Sequence, residues 1–176
     1  MDNLFINISY QNNIIKTIKL MKKLTLRKCK LDDSKIILKI FNSSVEMGYT
    51  ETKKKIKYEL HHPWLKKKLL SKKDYLFIGK FNKKVIGYVR FDEIYLKEYN
   101  ISIALKSQFI GKGLGSKFLK NSIKKLIKIK KIKSIKSKIK VKNINSINFF
   151  LKNNFVEIKT KKSKINNYRY FKLNIS

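Results

Sequence analysis

Several residue types that build particular folds are scarce in this chain of 176 residues. It has one cysteine, one proline and six glycines. A single cysteine cannot form an internal disulfide, so a disulfide-stabilised secreted fold is excluded and a reducing cytoplasm is the predicted location. Lysines interrupt every apolar run well short of the ~20 residues that a membrane-spanning helix needs, so no membrane association is predicted.

Acidic residues are also scarce, with 11 Asp and Glu against 44 Lys and Arg, for a formal net charge of +33. Such a charge is typical of a nucleic-acid-binding module. Only Arg27, Arg90 and Arg169 are arginine, however, and arginine is best suited to bidentate contacts with phosphates and bases. The lysines are spread along the chain with many isoleucines and asparagines, as an AT-rich coding sequence would produce. Nucleic-acid binding is therefore a minor alternative, and we expect the charge to attract a small anionic substrate.

The length indicates one domain, and a hydrophobic fraction of 43% is enough for a sizeable core. Residues 1–20 are rich in asparagine and isoleucine, and Met21-Lys22-Lys23-Leu24 then resembles a fresh start. Two interpretations remain open, an additional N-terminal segment or a start assigned too early. We predict an N-terminal extension over 1–20 and a single domain over 21–176.

Apolar periodicity predicts a mixed α/β (α+β) order of elements. Strands alternate apolar and polar residues, whereas helices place apolar residues on one stripe. The predicted elements are a strand over 24–29, a helix capped by Asp32 or Asp33, helices over 51–60 and from Pro63, strands over 75–81, 85–91 and 101–105, a long helix from Leu114, a strand over 130–141, a helix over 145–153, and a closing hairpin of strands 155–158 and 168–173.

Three glycines lie where the strand over 101–105 turns into the long helix, at Gly111, Gly113 and Gly115. Glycine lets the backbone approach a ligand closely, and the first N–H groups of a helix have no partner within the helix. The helix dipole also favours an anion at this end. The stretch Gln108–Ser116 is therefore a candidate phosphate-binding loop.

Two familiar phosphate loops do not fit. The P-loop pattern Gly-x-x-x-x-Gly-Lys-Ser/Thr is absent, and the third glycine comes one residue too early for the dinucleotide fingerprint. The pattern Gln-x-x-Gly-x-Gly instead resembles the acetyl-CoA pyrophosphate loop of the GNAT superfamily of N-acetyltransferases. A second stretch supports this resemblance, because Asn143, Ser146, Phe150, Lys152 and Phe155 are similar to the family's segment Asn-x-x-Ser-x-x-x-Tyr-x-Lys-x-Gly-Phe.

The resemblance covers about residues 24–173 and implies the GNAT fold, a mixed and mostly antiparallel twisted sheet of about seven strands flanked by helices. It implies acetyl-CoA as the acetyl donor. Backbone groups of Ile103, Ala104 and Leu105 would hold the pantetheine arm, Asn143 would contact it, and no metal is assigned. The expected pyrophosphate loop comprises Gln108, Phe109, Ile110, Gly111, Lys112, Gly113, Leu114, Gly115 and Ser116.

Two positions depart from the family pattern. Phe150 stands where the family often has a tyrosine that is thought to protonate the departing thiolate, and phenylalanine has no proton to give. We expect Phe150 to line the cofactor site and the proton to come from water or another side chain. Asn154 replaces a glycine, which is a mild change because asparagine tolerates a left-handed backbone.

A narrower resemblance concerns the acceptor. Three stretches are similar to acetyltransferases that act on nucleotide-linked amino sugars, such as those of the pseudaminic and related nonulosonic acid pathways. They are His61-x-x-Trp64-Leu65, Ile86 to Asp92, and Ile101-Ser102-Ile103. This resemblance implies that Trp64 and Arg90 bind the acceptor. The amine must lose a proton, and histidine titrates in the right range, so His61 is the preferred base.

Asp92 and Glu93 are the alternative bases. The predicted function is acetyl transfer to the primary amine of a nucleotide-linked sugar. A protein or ribosomal N-acetyltransferase is the main alternative, and the predicted oligomeric state is a monomer or homodimer.

Overall fold

A computed structural model describes residues 23–159 and 167–175, so the predicted extension over 1–20 lies outside the described residues. The described part contains seven strands, four α-helices and two short 3-10 helices. The strands are β1 (Leu24–Lys28), β2 (Asp74–Phe81), β3 (Lys84–Tyr95), β4 (Glu98–Leu105), β5 (Ser134–Lys140), β6 (Val156–Ile158) and β7 (Tyr168–Asn174). The α-helices are α1 (Ser34–Glu46), α2 (Tyr58–Leu70), α3 (Leu114–Ile127) and α4 (Ile144–Lys152).

The seven strands form one sheet in the order β1-β2-β3-β4-β5-β7-β6. All neighbours are antiparallel except β4 and β5, which are parallel. A parallel pair needs a crossover, and α3 provides it between the two strands. The predicted mixed, mostly antiparallel sheet flanked by helices is confirmed.

The sheet buries a hydrophobic cluster on each face, because strand residues alternate between the faces. The larger cluster joins one face to α3 and α4, and it includes Phe77, Val89, Phe118, Ile135 and Phe155. The smaller cluster joins the opposite face to α1 and α2, and it includes Ile37, Leu65, Leu76, Ile78 and Tyr88. We call these the α3 face and the α1 face of the sheet.

The region before β2 differs from the sequence prediction. The predicted helix over 51–60 is wrong, because the chain is irregular after α1 until α2 begins at Tyr58. Lysines occupy 53–55, and no apolar stripe is available to dock a helix there. Pro63 was predicted to start a helix but lies inside α2. Proline lacks an N–H group, so α2 loses one backbone hydrogen bond at that position.

Asp33 and Asn154 lie at helix ends and bear on two further predictions. Asp33 lies at the N-cap position of α1, as predicted, but its carboxylate does not cap that helix. Oδ2 accepts the Lys30 N–H at 2.8 Å instead. Asn154 has φ +66°, so the left-handed turn after α4 that the family builds with glycine is confirmed. None of the helices in the described ranges is long and apolar enough to cross a membrane.

Candidate active site

The central feature of the site is a gap between β4 and β5. The two strands pair only over Glu98–Asn100 and Ser134–Lys136. Beyond that point β4 continues to Leu105 and β5 to Lys140, but no further pairs join them. One edge of β4 therefore has unpaired backbone groups, which are obligatory hydrogen-bonding groups and are available to an extended ligand.

Ile103, Ala104 and Leu105 lie in this splayed half of β4. Ile103 and Leu105 pack against the larger cluster, and Ala104 packs against the smaller one. Their side chains thus hold the strand in the sheet, and the backbone faces the gap. Gly87 lies opposite on β3, where a Cβ atom would be 2.2 Å from the Ala104 carbonyl oxygen. Sequence reasoning missed this role of Gly87, although glycine inside a strand signals a close backbone approach.

The glycine loop follows directly. A 3-10 helix over Ser107–Phe109 leads to Gly111 and Gly113, which have φ +77° and φ +69°. A Cβ atom at either glycine would meet nothing within 4 Å, so the loop borders open space. Gly113 is the N-cap of α3 and supplies no side-chain cap, which leaves the first N–H groups of the helix available. These features fit the pyrophosphate of acetyl-CoA.

The other loop residues either fix the loop to the core or lie at its exposed rim. Leu114 is buried and Phe109 packs against the larger cluster, so both fix the loop to the core. Ser116 Oγ accepts a hydrogen bond from Asn153 Nδ2 at 3.0 Å. Gly115 differs from the other two glycines, because a Cβ atom there would lie 3.1 Å from the Phe149 ring. The exposed side chains at the rim are those of Gln108, Ile110 and Lys112.

Asn143 and Phe150 have structural environments that limit what they can do. Asn143 is buried at the start of α4, and its Oδ1 accepts the Ser146 N–H at 3.1 Å. The cap uses Oδ1 as an acceptor, and Nδ2 is the side-chain donor that Asn143 can offer a ligand. Phe150 is buried, and its ring centroid lies 4.9 Å from that of Phe155. No proton donor is therefore present in the Phe150 side chain at the position of the usual tyrosine.

The acceptor-side residues lie on the α1 face. His61 is 4% exposed, and its Nδ1 lies 3.0 Å from the Ser34 hydroxyl. Its Nε2 is buried and has no hydrogen-bond partner within the described ranges. Burial, with a smaller effect from the charge of His62, lowers the pKa of His61 below 6.5. His61 is therefore neutral at pH 7, as a base must be.

Trp64 connects His61 to the sheet. The centroid of its ring lies 5.2 Å from that of the His61 ring. The Arg90 guanidinium lies 5.3 Å from the same Trp64 centroid. Arg90 pairs in register with Ser102, which belongs to the splayed half of β4, and donates to the Ser102 hydroxyl at 3.4 Å. The fold thus brings Trp64 and Arg90 together beside the gap.

Asp92 is held by two cations. Arg90 Nε donates to Oδ2 at 2.7 Å, and Lys68 Nζ donates to Oδ1 at 2.8 Å. Burial alone would lower the pKa of Lys68, but its hydrogen bonds to Asp92 and Asp74 raise it. With both oxygens occupied, Asp92 is better suited to orient Arg90 than to accept a proton. Glu93 pairs with Tyr99, outside the splayed part of β4, and accepts the Lys97 N–H at 3.2 Å.

Sequence reasoning missed Ser34 and Lys68, and it assigned no individual role to Ser102. Ser34 is 27 residues from His61, and Lys68 is 24 residues from Asp92. No local pattern signals such pairs, because the packing of α1 and α2 against the sheet creates them. Within the described part of the chain, no three His, Cys, Asp or Glu side chains cluster as a metal site would need.

The splayed strands and the glycine loop together match a known arrangement. The model of the Acetyltransferase (GNAT) family matches residues 37–155, which include both. The chain belongs to the GNAT family. It is therefore an acetyl-CoA-dependent N-acetyltransferase, and acetyl-CoA is its acetyl donor.

Solved structures share the fold of this GNAT protein. The ribosomal-protein-alanine N-acetyltransferase from Brucella melitensis is 18% identical, with a TM-score of 0.73, and the match covers 86% of this chain and 99% of that one. The Vibrio cholerae spermidine N-acetyltransferase, solved with CoA and spermine, is 18% identical with a TM-score of 0.74 and coverage of 86% and 95%. The Salmonella typhimurium protein yncA, solved with acetyl-CoA, is 18% identical with a TM-score of 0.72 and coverage of 88% and 95%. No curated protein matches the chain in sequence.

Proposed function

We propose that the acceptor is the primary amine of a nucleotide-linked amino sugar. The observation that carries this proposal is the stack of Arg90 on Trp64, with 5.3 Å between the guanidinium and the ring centroid, beside the splayed half of β4. A guanidinium suits a phosphate, and an aromatic face suits a sugar ring or a base. Arg90 is one of three arginines in a chain where lysine supplies nearly all other positive charge, so its position beside the gap supports a specific role.

The overall charge supports an anionic acceptor. A net charge of +33 attracts phosphate-bearing molecules and repels cations. The Vibrio cholerae neighbour acts on spermidine, which is a polycation. A polyamine would need unpaired carboxylates in its groove, whereas both oxygens of Asp92 are bound by Lys68 and Arg90.

Each candidate residue then has a defined task. Acetyl-CoA supplies an activated acetyl thioester when it is bound. The backbone of Ile103 to Leu105 would orient the pantetheine arm, the N–H groups of the loop Gln108–Ser116 would bind the pyrophosphate, and Asn143 would donate through Nδ2.

His61 would take the proton of the acceptor amine through Nε2, directly or through one water. Its lowered pKa and its unpartnered Nε2 support this assignment. Phe150 cannot return a proton to the leaving thiolate, so water or another side chain must do so. We place the reaction in a reducing compartment such as the cytoplasm, because the chain has a single cysteine, Cys29, and it is buried.

The test is a competition between acceptors. Coenzyme A release is measured with a 4-amino sugar nucleotide, with a peptide that carries a free N-terminus, and with spermidine. We expect the highest kcat/KM for the sugar nucleotide. Faster turnover of the peptide would replace the proposal with protein N-acetylation, and faster turnover of spermidine would exclude an anionic acceptor.

A further inference from the structure

The β5 side of the gap carries a row of lysines that the function described so far leaves unassigned. Ile135 and Ile139 of β5 belong to the larger cluster on the α3 face. The alternate residues Lys136, Lys138 and Lys140 therefore lie on the α1 face, the same face as Arg90. Lys138 is two residues beyond the last paired position of β5, as Ser102 is on β4. Lys138 on β5 thus lies at the same depth along the gap as Ser102 on β4, which pairs with Arg90 on β3.

Lys138 has two partners that suit a ligand site. Its ammonium group forms a salt bridge with Glu51 and lies 4.2 Å from the centroid of the Tyr168 ring. Glu51 belongs to the irregular segment between α1 and α2, which also contacts β5 where Lys140 Nζ donates to the Gly48 carbonyl oxygen at 3.2 Å. This segment therefore extends over the β5 side of the gap.

Lys136, the neighbouring lysine on the same face, forms a structural ion pair and serves as a comparison. Lys136 binds Glu98 at 2.7 Å, and the Glu98 side chain is only 14% exposed. Glu98 also accepts a hydrogen bond from Ser134 and lies where β4 and β5 are still paired. The Glu51 side chain is 63% exposed, so its bond to Lys138 competes with water and is weak.

We propose that Lys138 binds a phosphate of the acceptor and that Glu51 occupies the place of that phosphate in the free enzyme. The inference rests on the proposed function, because it assigns one phosphate of the acceptor's diphosphate to Lys138 and leaves the phosphate contact of Arg90 as proposed above. A phosphate carries more charge and more acceptor oxygens than a carboxylate, so it displaces Glu51 from the ammonium group. The Tyr168 ring, on which the ammonium group lies, holds Lys138 in place.

The probe for this site is UDP, measured by calorimetry on protein saturated with coenzyme A, so that the pyrophosphate loop is blocked. The variants are Lys138→Met, Lys138→Arg and Glu51→Gln. The control is Lys124→Met, which removes one exposed lysine from the last turn of α3. We expect UDP to bind about 10-fold more weakly to Lys138→Met, because one charge-assisted contact is lost. We expect it to bind about 3-fold more tightly to Glu51→Gln, because the competing carboxylate is removed. The affinity of Lys138→Arg and of the control for UDP should stay within about twofold of the parent, because both keep a cation at position 138.

Each result bears on the proposal. Equal affinity of Lys138→Met and Lys124→Met for UDP, with both variants folded by circular dichroism, would overturn the role of Lys138. Unchanged affinity in Glu51→Gln would overturn the exchange with Glu51. Absence of UDP binding to the parent protein would overturn both.

Turnover separates this inference from the proposed function. If UDP binding depends on Lys138 but the sugar nucleotide is not acetylated, the phosphate site stands and the sugar assignment fails. If the sugar nucleotide is acetylated with the same KM in Lys138→Met and in the control, the proposed function stands and the phosphate site is excluded.

Discussion

His61 is the proposed base, and burial determines the environment of its ring. The ring is enclosed by α1 and α2, with Ser34 on Nδ1 and no described partner on Nε2. The Ser34 contact suits either tautomer of the ring. The tautomer in which the hydroxyl accepts from Nδ1–H has its lone pair on Nε2, which is the form that a base requires. Burial favours the neutral ring, which lowers its pKa.

Replacing His61 with alanine should therefore lower kcat by about 10²–10⁴-fold with little change in acetyl-CoA affinity. In the parent enzyme, kcat should fall as pH decreases through the lowered His61 pKa, below 6.5. The measurement is coenzyme A release against pH, and His62→Ala is the control. An unchanged kcat in His61→Ala would exclude His61 as the base.

Asp33 is a second residue whose environment has a measurable consequence. Its carboxylate is bound by both Arg27 nitrogens at 2.6 Å and by the Lys30 N–H at 2.8 Å. Burial alone would raise the pKa of Asp33, but these hydrogen bonds and the Arg27 charge together lower it below 3.8. The ionised form therefore stabilises the fold above pH 3.8, and this stabilisation is lost as pH falls through the lower, folded-state pKa.

The variant Asp33→Asn should lose about 2 kcal/mol of unfolding free energy at pH 7, because Arg27 loses its charged partner. The difference from the parent protein should shrink at pH values below 3.8. Urea unfolding at several pH values measures it. Asp32→Asn, at the exposed neighbouring position, is the control. A loss that does not depend on pH would mean that packing, and not charge, makes Asp33 important.

At the scale of an element, the glycine loop combines two different uses of glycine. Gly111 and Gly113 have positive φ and border open space. Gly115 instead allows α3 to approach the Phe149 ring on α4. The first two glycines thus shape a ligand surface, and the third fixes the helix that carries the N–H groups.

The variant Gly113→Glu tests the loop. It places a negative side chain where the phosphates would lie, so acetyl-CoA should bind at least about 10-fold more weakly than to Gly113→Gln, which has the same size without the charge. Both variants share the cost of a side chain at positive φ, so their difference isolates the electrostatic effect. Calorimetry on both folded variants gives the comparison. Equal affinities would show that no phosphate lies near Gly113.

At the scale of the whole molecule, the candidate cofactor site and the proposed acceptor site lie on opposite faces of the sheet. The α3 face carries the larger core and the helix of the glycine loop. The α1 face carries Trp64, Arg90 and Lys138 around the gap. Since the gap lies between β4 and β5, a donor and an acceptor can meet there from opposite faces.

The net charge of +33 should be visible in the kinetics. With acetyl-CoA saturating, kcat/KM for the sugar nucleotide should fall about 10-fold between 50 and 500 mM salt, because salt screens long-range attraction. A 4-amino sugar without the nucleotide carries no negative charge and serves as the control. Equal salt dependence for both acceptors would mean that the charge does not steer the substrate.

Sequence patterns were enough to predict the types of most elements and the glycine loop. Alternating residues predicted strands, and the stripe from Leu114 to Ile127 predicted α3, because these patterns are local. The left-handed turn at Asn154 followed from one residue's backbone preference. Local patterns failed where pairing partners extend a strand. β3 runs on to Tyr95 and β4 starts at Glu98, beyond the predicted ends at 91 and 101, because Tyr95 and Glu98 pair with each other and Glu98 also pairs with Ser134 of β5.

The geometry of the candidate site depends on contacts between distant segments of the folded chain. The gap exists because β4 and β5 stop pairing after Asn100 and Lys136, and strand pairing is a property of two distant segments. Ser34 meets His61, and Glu51 meets Lys138, across 27 and 87 residues. Such contacts depend on how helices and connecting segments pack against a formed sheet. A one-dimensional pattern carries residue type and spacing, but it does not carry the directions in which distant side chains converge.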